Sequence, residues 1–418
     1  MATDQVGAGF IPPYGGPALL ERMIAMIKRN PLLLILILSF SLTPALVAGA
    51  AAQIKIAFIS DITGPASSLG IPERNTGLML QEELEAKGGI KGRPVKVVIY
   101  DGESRETPTL LAVKKAIEED RVAAVICCTQ SGTSLAVIDT VTKAKVPMVS
   151  MAASIKIVEP VKDRYWVFKT VQSDSLMSEV YADHFLKRGI NKVAFMNVDN
   201  AFGHSGRVEF EKVAKARGIT VTRWEKFGDK DVDMTPQLTR IAGTDAQAIL
   251  VWAIPPAASV VTKNHGEMGL KLPLFASGAA SKVYIDLAGK ASEGVRLAIV
   301  KILAAEQLPD SDPQKPVLLS YIRDYERRFG AGTRNIFGGH AWDAVKLVYH
   351  AIEKALERGA NPDDLPAFRQ AVRDEIERAR NFVGITGVFN FSPADHNGLD
   401  RSAMVMLEIV GGRWKLID

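Results

Sequence analysis

The chain has 418 residues, 47% of them hydrophobic and 23% charged. That is the make-up of a globular protein of two or three domains, and it excludes a disordered chain, collagen and a multispanning membrane protein. Lys+Arg total 51 and Asp+Glu 47, a formal charge of +4, a weak balance that gives no support for nucleic-acid binding, which needs a concentrated basic patch. The two cysteines, Cys127 and Cys128, are neighbours, so the sequence predicts neither a disulfide framework nor a cysteine-rich zinc site.

Residues 28–52 form a segment of their own. Lys28 and Arg29 are followed by an apolar run from Pro31 to Val47, then by Ala48-Gly49-Ala50 and Ala50-Ala51-Ala52. This order of positive, apolar and small residues reads as a secretory signal. The run is shorter than the roughly 20 apolar residues of a membrane span, and Ser39, Ser41, Thr43 and Pro44 break it. Residues 1–52 are therefore expected to be a cleaved signal peptide with a long leading region, Met23 and Met26 being alternative starts. An uncleaved anchor is the other reading. No cysteine follows the small residues, so no lipid anchor is expected.

After residue 52 strands and helices alternate. Ile54–Ser60, Pro94–Tyr100, Val122–Cys128 and Val146–Met151 are short β-branched or continuously apolar runs. Helical spacing occupies Asn75–Ala86, stopped by Gly88-Gly89, then Thr107–Glu119 and Thr133–Ala144. The rhythm restarts after Thr170: helix Asp174–Arg188, strand Lys192–Val198, helix Ser205–Arg217, strand Thr220–Trp224, helix Met234–Gly243, strand Ala248–Ala253, helix Pro256–Met268 and strand Pro273–Ala276. From Pro316 the pattern is helical over Tyr321–Phe329, His340–Arg358 and Leu365–Arg380, and short strands Gly387–Phe391 and Ala403–Ile409 close the chain. Continuous apolar strands between amphipathic helices predict parallel sheets covered on both faces. Two such doubly wound units place a ligand site at the carboxyl ends of their strands, in a cleft between them.

Catalytic motifs are missing. No GxxxxGK[ST] occurs, and Ile54–Ser60 leads into Asp61-Ile62-Thr63-Gly64-Pro65 instead of GxGxxG. Gly203-His204-Ser205-Gly206 lacks the spacing of a nucleophile elbow. None of the six histidines pairs at metal-ligand spacing, so no metal and no cofactor are expected. His184, His265 and His350 are expected on solvated helix faces, and Cys127-Cys128 as two buried small apolar residues.

Turns rich in small hydroxyls remain. Thr129-Gln130-Ser131-Gly132-Thr133-Ser134 joins a strand to a helix, and Ala152-Ala153-Ser154 ends the next strand beside it. Free N–H groups and the helix dipole favour an anion at such a turn, and a hydroxyl adds a donor. The set reads as a carboxylate cradle around Ser131 and Thr133, with simple N-capping as the alternative.

These residues carry a resemblance. Ile56-Ala57-Phe58-Ile59-Ser60-Asp61-Ile62-Thr63-Gly64-Pro65, Asn75-Thr76-Gly77, Lys87-Gly88-Gly89-Ile90-Lys91-Gly92, Tyr100-Asp101, Pro147-Met148-Val149-Ser150 and Phe202-Gly203 resemble, in order, a type I periplasmic solute-binding protein of the branched-chain amino-acid ABC transporter family. Gly339–Ala344 resembles a subgroup associated with aromatic and other hydrophobic acids. The resemblance implies an α/β fold of two doubly wound parallel-sheet lobes joined by a three-segment hinge, with lobe 1 over 53–170 plus 301–386 and lobe 2 over 171–300 plus 387–418. It further implies a periplasmic, monomeric binding protein that works with a membrane permease and catalyses nothing.

By the family pattern Ser131 and the Ala152/Ser154 turn hold a ligand carboxylate. Phe202 falls where a tyrosine often stacks on the ligand, and Phe337 near an aromatic wall. Trp252 ends a strand on the cleft side. Each of these aromatics has core packing as its alternative. The loop that carries the family's acidic ammonium clamp reads Ser277-Gly278-Ala279-Ala280-Ser281, and Ile254-Pro255-Pro256-Ala257 supplies no acid either. Gly278 is thus expected at the ligand, and a small hydrophobic or aromatic carboxylate without an α-amino group is the expected solute. An aliphatic amino acid or small amide is the alternative, with Asp199 as a substitute clamp and His340 as a contact for a polar tail. The family's usual first-lobe disulfide is absent, because its position reads Gly102-Glu103-Ser104.

Overall fold

Strand β1 (Ile54–Ser60) is buried at six of its seven positions, so both its faces need cover. A computed structural model describes residues 53–417 apart from Ala279, together with Glu21. The signal peptide expected over 1–52 otherwise lies outside the described residues. Cover comes from α1 (Ser67–Ala86), α2 (Glu106–Glu118) and α3 (Ser131–Lys143), which alternate with β2 (Val95–Asp101), β3 (Ala124–Cys127) and β4 (Met148–Ser150). With β5 (Val167–Lys169) these strands make a parallel sheet in the order β2-β1-β3-β4-β5.

The chain then leaves this sheet. α4 (Asp174–Lys187), β6 (Lys192–Val198), α5 (Ala201–Arg217), β7 (Thr220–Phe227), α6 (Thr235–Ala242), β8 (Ala248–Trp252), α7 (Ala257–Glu267), β9 (Leu274–Ala276), α8 (Lys282–Ala288) and β10 (Arg296–Val300) build the second unit. Its sheet runs β14-β13-β10-β9-β8-β6-β7, parallel from β7 to β10. β13 (Met404–Val410) and β14 (Arg413–Leu416) add an antiparallel edge. Between β10 and β13 lie α9 (Lys315–Phe329), α10 (Ile336–Glu357) and α11 (Leu365–Arg378). α10 packs on α1 and α11, and its Ala344, Val345 and Val348 join Phe58 and Ile126 of the first sheet in one core. The two doubly wound units expected from the sequence are present.

Differences lie in short or interrupted pieces. α1 begins at Ser67 and runs through Pro72, eight residues before the expected start. β5, β10, β14 and α8 are additional elements of three to seven residues, too short for a clear period. The expected strand over 387–391 reduces to β12 (Val388–Phe389), a hairpin partner of β11 (Phe382–Val383). Phe389 and Phe391 pack in the first sheet's core, so the return to the second sheet falls beyond Phe391. Cys127 and Cys128 are buried as expected, but a disulfide joins them. His184 is buried with its ring edge-on to Phe275. His265 is half-buried against the Leu272 carbonyl at 2.9 Å, and His350 packs beside Phe382. None of the three sits on a fully solvated face.

Two contacts set the packing. Trp252 ends β8 fully buried, 6.0 Å from Phe195 ring to ring, and Gly206 of α5 lies against its indole so closely that a Cβ there would overlap the ring. Asp343 of α10 is fully buried, and it receives the N–H groups of Ile385 (2.6 Å) and Thr386 (2.7 Å). This pins α10 to the chain beyond β11.

Gly206→Ala should cost about 1–3 kcal/mol of stability by overpacking, read as a lower denaturant midpoint; an unchanged midpoint would mean that α5 moves freely away from β8. Burial pushes the Asp343 carboxyl up to about 7, so the fold favours its protonated form relative to the unfolded chain. That contribution is full below about pH 4, the ordinary carboxyl value, and is lost as pH rises to about 7. The melting temperature of the wild type relative to Asp343→Asn should therefore fall between pH 4 and pH 7; a difference that rises would contradict this.

Candidate functional site

The carboxyl ends of β3 and β4 deliver two turns to one place. Thr129 opens the turn after β3, and its hydroxyl accepts the Asp61 N–H at 2.9 Å and donates to Glu73 at 2.5 Å. Burial raises the carboxyl of Glu73 well above its usual range, and that of Asp61 also lies above it. Gln130, the N-cap residue of α3, donates to Asp61 at 2.9 Å and leaves α3 without a side-chain cap. The first N–H groups of a helix have no partner within it, so those at Ser131, Gly132 and Thr133 are left to whatever lies before the helix.

The second turn is held rigidly. Ser131 Oγ accepts the Ser154 N–H at 3.3 Å. Lys169 Nζ donates to the Ala153 carbonyl at 2.5 Å, and Asp174 Oδ1 accepts the Ile155 N–H at 3.0 Å. Burial lowers Lys169 to about 8 and raises Asp174.

In front of these turns lies a cavity of about 340 Å³. Ser131, Thr133 and Ala152 line it on the first-sheet side, and Phe202, Gly278 and Phe337 lie on its wall. Phe202 reaches it from the first turn of α5 and not from a loop. Gly278 packs against the Ala253 carbonyl, where a Cβ would collide. Thr133 turns its hydroxyl back to the Gln130 carbonyl at 3.0 Å. His340 also lines the cavity, buried.

Two expected site residues do not reach it. Ser154 is buried behind the turn, its hydroxyl 2.7 Å from that of Ser205. Trp252 is claimed by the core packing around Gly206. Asp199 does not line the cavity either: it is exposed and bound to Lys226 at 2.9 Å and His204 at 2.6 Å, which hold its carboxyl below the usual range. The acids at the cavity are Glu106 and Asp229, both exposed.

Sequence reasoning missed Gln172 and Ser277 as polar lining, and Met151, Met177, Ile254 and Ile336 as apolar lining. Gln172 follows β5, which was not expected as a strand, so nothing marked its place. Ser277 stands directly after β9 and was legible there.

Two sheets whose parallel strands end around a shared cavity define a ligand-binding protein of the two-lobed type. The model of the periplasmic binding protein family matches residues 53–413, and the chain belongs to that family. It is 24% identical over 344 residues to the leucine-, isoleucine-, valine-, threonine- and alanine-binding protein of Pseudomonas aeruginosa, covering 82% of this chain and 86% of that one. An extracellular ligand-binding receptor from Rhodopseudomonas palustris HaA2 superposes with a TM-score of 0.82 at 30% identity, covering 88% of this chain and all of that one. A branched-chain amino acid transporter substrate-binding protein from Streptococcus pneumoniae, solved with isoleucine, shares the fold at a TM-score of 0.75, with 20% identity and 88% and 99% of the two chains covered. Among the described residues no group of side chains is placed to hold a metal ion, and no helix is long and apolar enough to cross a membrane.

Proposed function

We propose that this chain is the periplasmic solute-binding component of an ABC uptake transporter, monomeric and delivering its solute to a membrane permease. The solute is a small carboxylate with an apolar body, of the aliphatic amino-acid class. The observation that carries this reading is the cavity at the open N-terminal end of α3, where unpaired N–H groups and the Ser131 hydroxyl suit a carboxylate. Its volume suits a single small molecule, and Met151, Met177, Ile254 and Ile336 suit an apolar body. The names of the relatives point to aliphatic amino acids. Lobes over 53–170 plus 301–391 and 171–300 plus the C-terminal strands are part of the same reading.

One observation favours a second reading, a hydrophobic or aromatic carboxylate without an amino group. No buried acid lines the cavity; Glu106 and Asp229 stand exposed, and a buried ammonium without a counter-charge costs several kcal/mol. The rings of Phe202 and Phe337 suit a flat body.

Calorimetry with leucine, isoleucine, benzoate and 4-hydroxycinnamate separates the two. Micromolar binding of leucine or isoleucine with no heat from the aromatic acids is the expected result; the converse replaces the amino-acid reading by the second. For whichever acid binds, Ser131→Ala should weaken binding by about 1–3 kcal/mol, the cost of taking a partner from a buried charged acceptor. Unchanged affinity with a lower melting temperature would make Ser131 a brace of the turn and nothing more.

A further inference from the structure

Three side chains in the cavity have polar atoms that the protein does not satisfy. His340 is 2% exposed, Gln172 3% and Ser277 4%, and all three line the cavity. Both ring nitrogens of His340, Oε1 of Gln172 and Oγ of Ser277 are buried with no hydrogen-bond partner among the described residues. Leaving such a group unmade costs the fold about 1–3 kcal/mol, and buried polar groups without partners are rare in native proteins. They come from three separate parts of the fold: α10, the chain between β5 and α4, and the end of β9. Their convergence on one cavity points to a bound group as the missing partner.

We infer that the solute carries, besides its carboxylate, a neutral hydroxyl or carboxamide that is received by Gln172, His340 and Ser277. The inference rests on the proposed reading of a carboxylate in this cavity and narrows it. The chemistry of the three groups selects this class. Gln172 Oε1 can only accept, so the solute must offer a donor. A neutral imidazole offers one donor and one acceptor, and the serine hydroxyl can do either. A hydroxyl or carboxamide both donates and accepts, as this set requires. A second cation is disfavoured here, since the charge of Lys169 bears on His340. Burial first, and that charge second, push His340 down to about 3, so the imidazole is neutral. An apolar solute would leave all the atoms unpaired.

Calorimetry with near-isosteric pairs tests this: threonine against valine, asparagine against leucine, and 4-hydroxybenzoate against benzoate. The first two pairs probe amino acids and the third an acid without an amino group. In the arm that binds, the polar member should bind at least about tenfold tighter than its apolar partner. Gln172→Leu and His340→Phe should each abolish most of that preference. Equal or reversed preference in the wild type overturns the inference. The melting temperature of the solute-free variants gives a readout that needs no solute. Removing an unsatisfied polar group should leave it unchanged or raise it, and a fall in both variants assigns the residues to the fold and overturns the inference. If no acid in any arm binds, the carboxylate reading fails and the melting temperatures alone decide the role of the three groups.

Discussion

The turn Ala152–Ile155 is fixed from several sides, and the candidate site depends on it. Ser131 takes the Ser154 N–H, Ser205 meets the Ser154 hydroxyl, Asp174 takes the Ile155 N–H, and Lys169 holds the Ala153 carbonyl. Ser131 comes from α3, Lys169 from β5 and Asp174 from α4, so the turn ties the first sheet to the start of the second unit. Ser205 extends the tie to α5. A buried ammonium and a buried carboxylate are expensive unless hydrogen-bonded; here each directs a hydrogen bond to the backbone of this turn. A turn held this way presents the same surface to the cavity each time, which is what recognition of a small solute asks of it.

The same economy explains the division of labour between the sheets. The first unit brings the polar end of the cavity, through α3 and the turn after β4. The second brings Phe202 on α5, Ile254 after β8 and Ser277-Gly278 after β9. Gly278 must be a glycine, because the Ala253 carbonyl stands where a Cβ would be. Neither unit has a complete pocket, so a solute held here touches both, and the chain between β5 and α4, carrying Gln172, runs beside it.

Much of this was legible in the sequence where physical signals are strong. Ile54–Ser60, Ala124–Cys127 and Ala248–Trp252 are apolar on both faces, and such runs have few folds open to them. Ser131 and Thr133 were legible because a hydroxyl-rich strand-to-helix turn has a defined local chemistry. Other features depended on distant partners. Trp252 at a strand end could face the cavity or the core, and Gly206, 46 positions away, is the space that draws it inward. Ser154 carried the right chemistry, but Ser205 turns its hydroxyl aside. The strand Val167–Lys169 has three residues, too few to show a period, and its Lys169 is buried only because carbonyls of the turn receive it. The pairing of Cys127 with Cys128 has no signature beyond adjacency.

The central claim is that a solute carboxylate sits before α3. A crystal structure of the protein with a bound acid tests it most directly. The account predicts carboxylate oxygens at hydrogen-bond distance, about 2.7–3.2 Å, from Ser131 Oγ and from the N–H groups at the start of α3. A carboxylate bound elsewhere in the cavity, beyond hydrogen-bond distance of Ser131 Oγ and of the N–H groups that open α3, would contradict it.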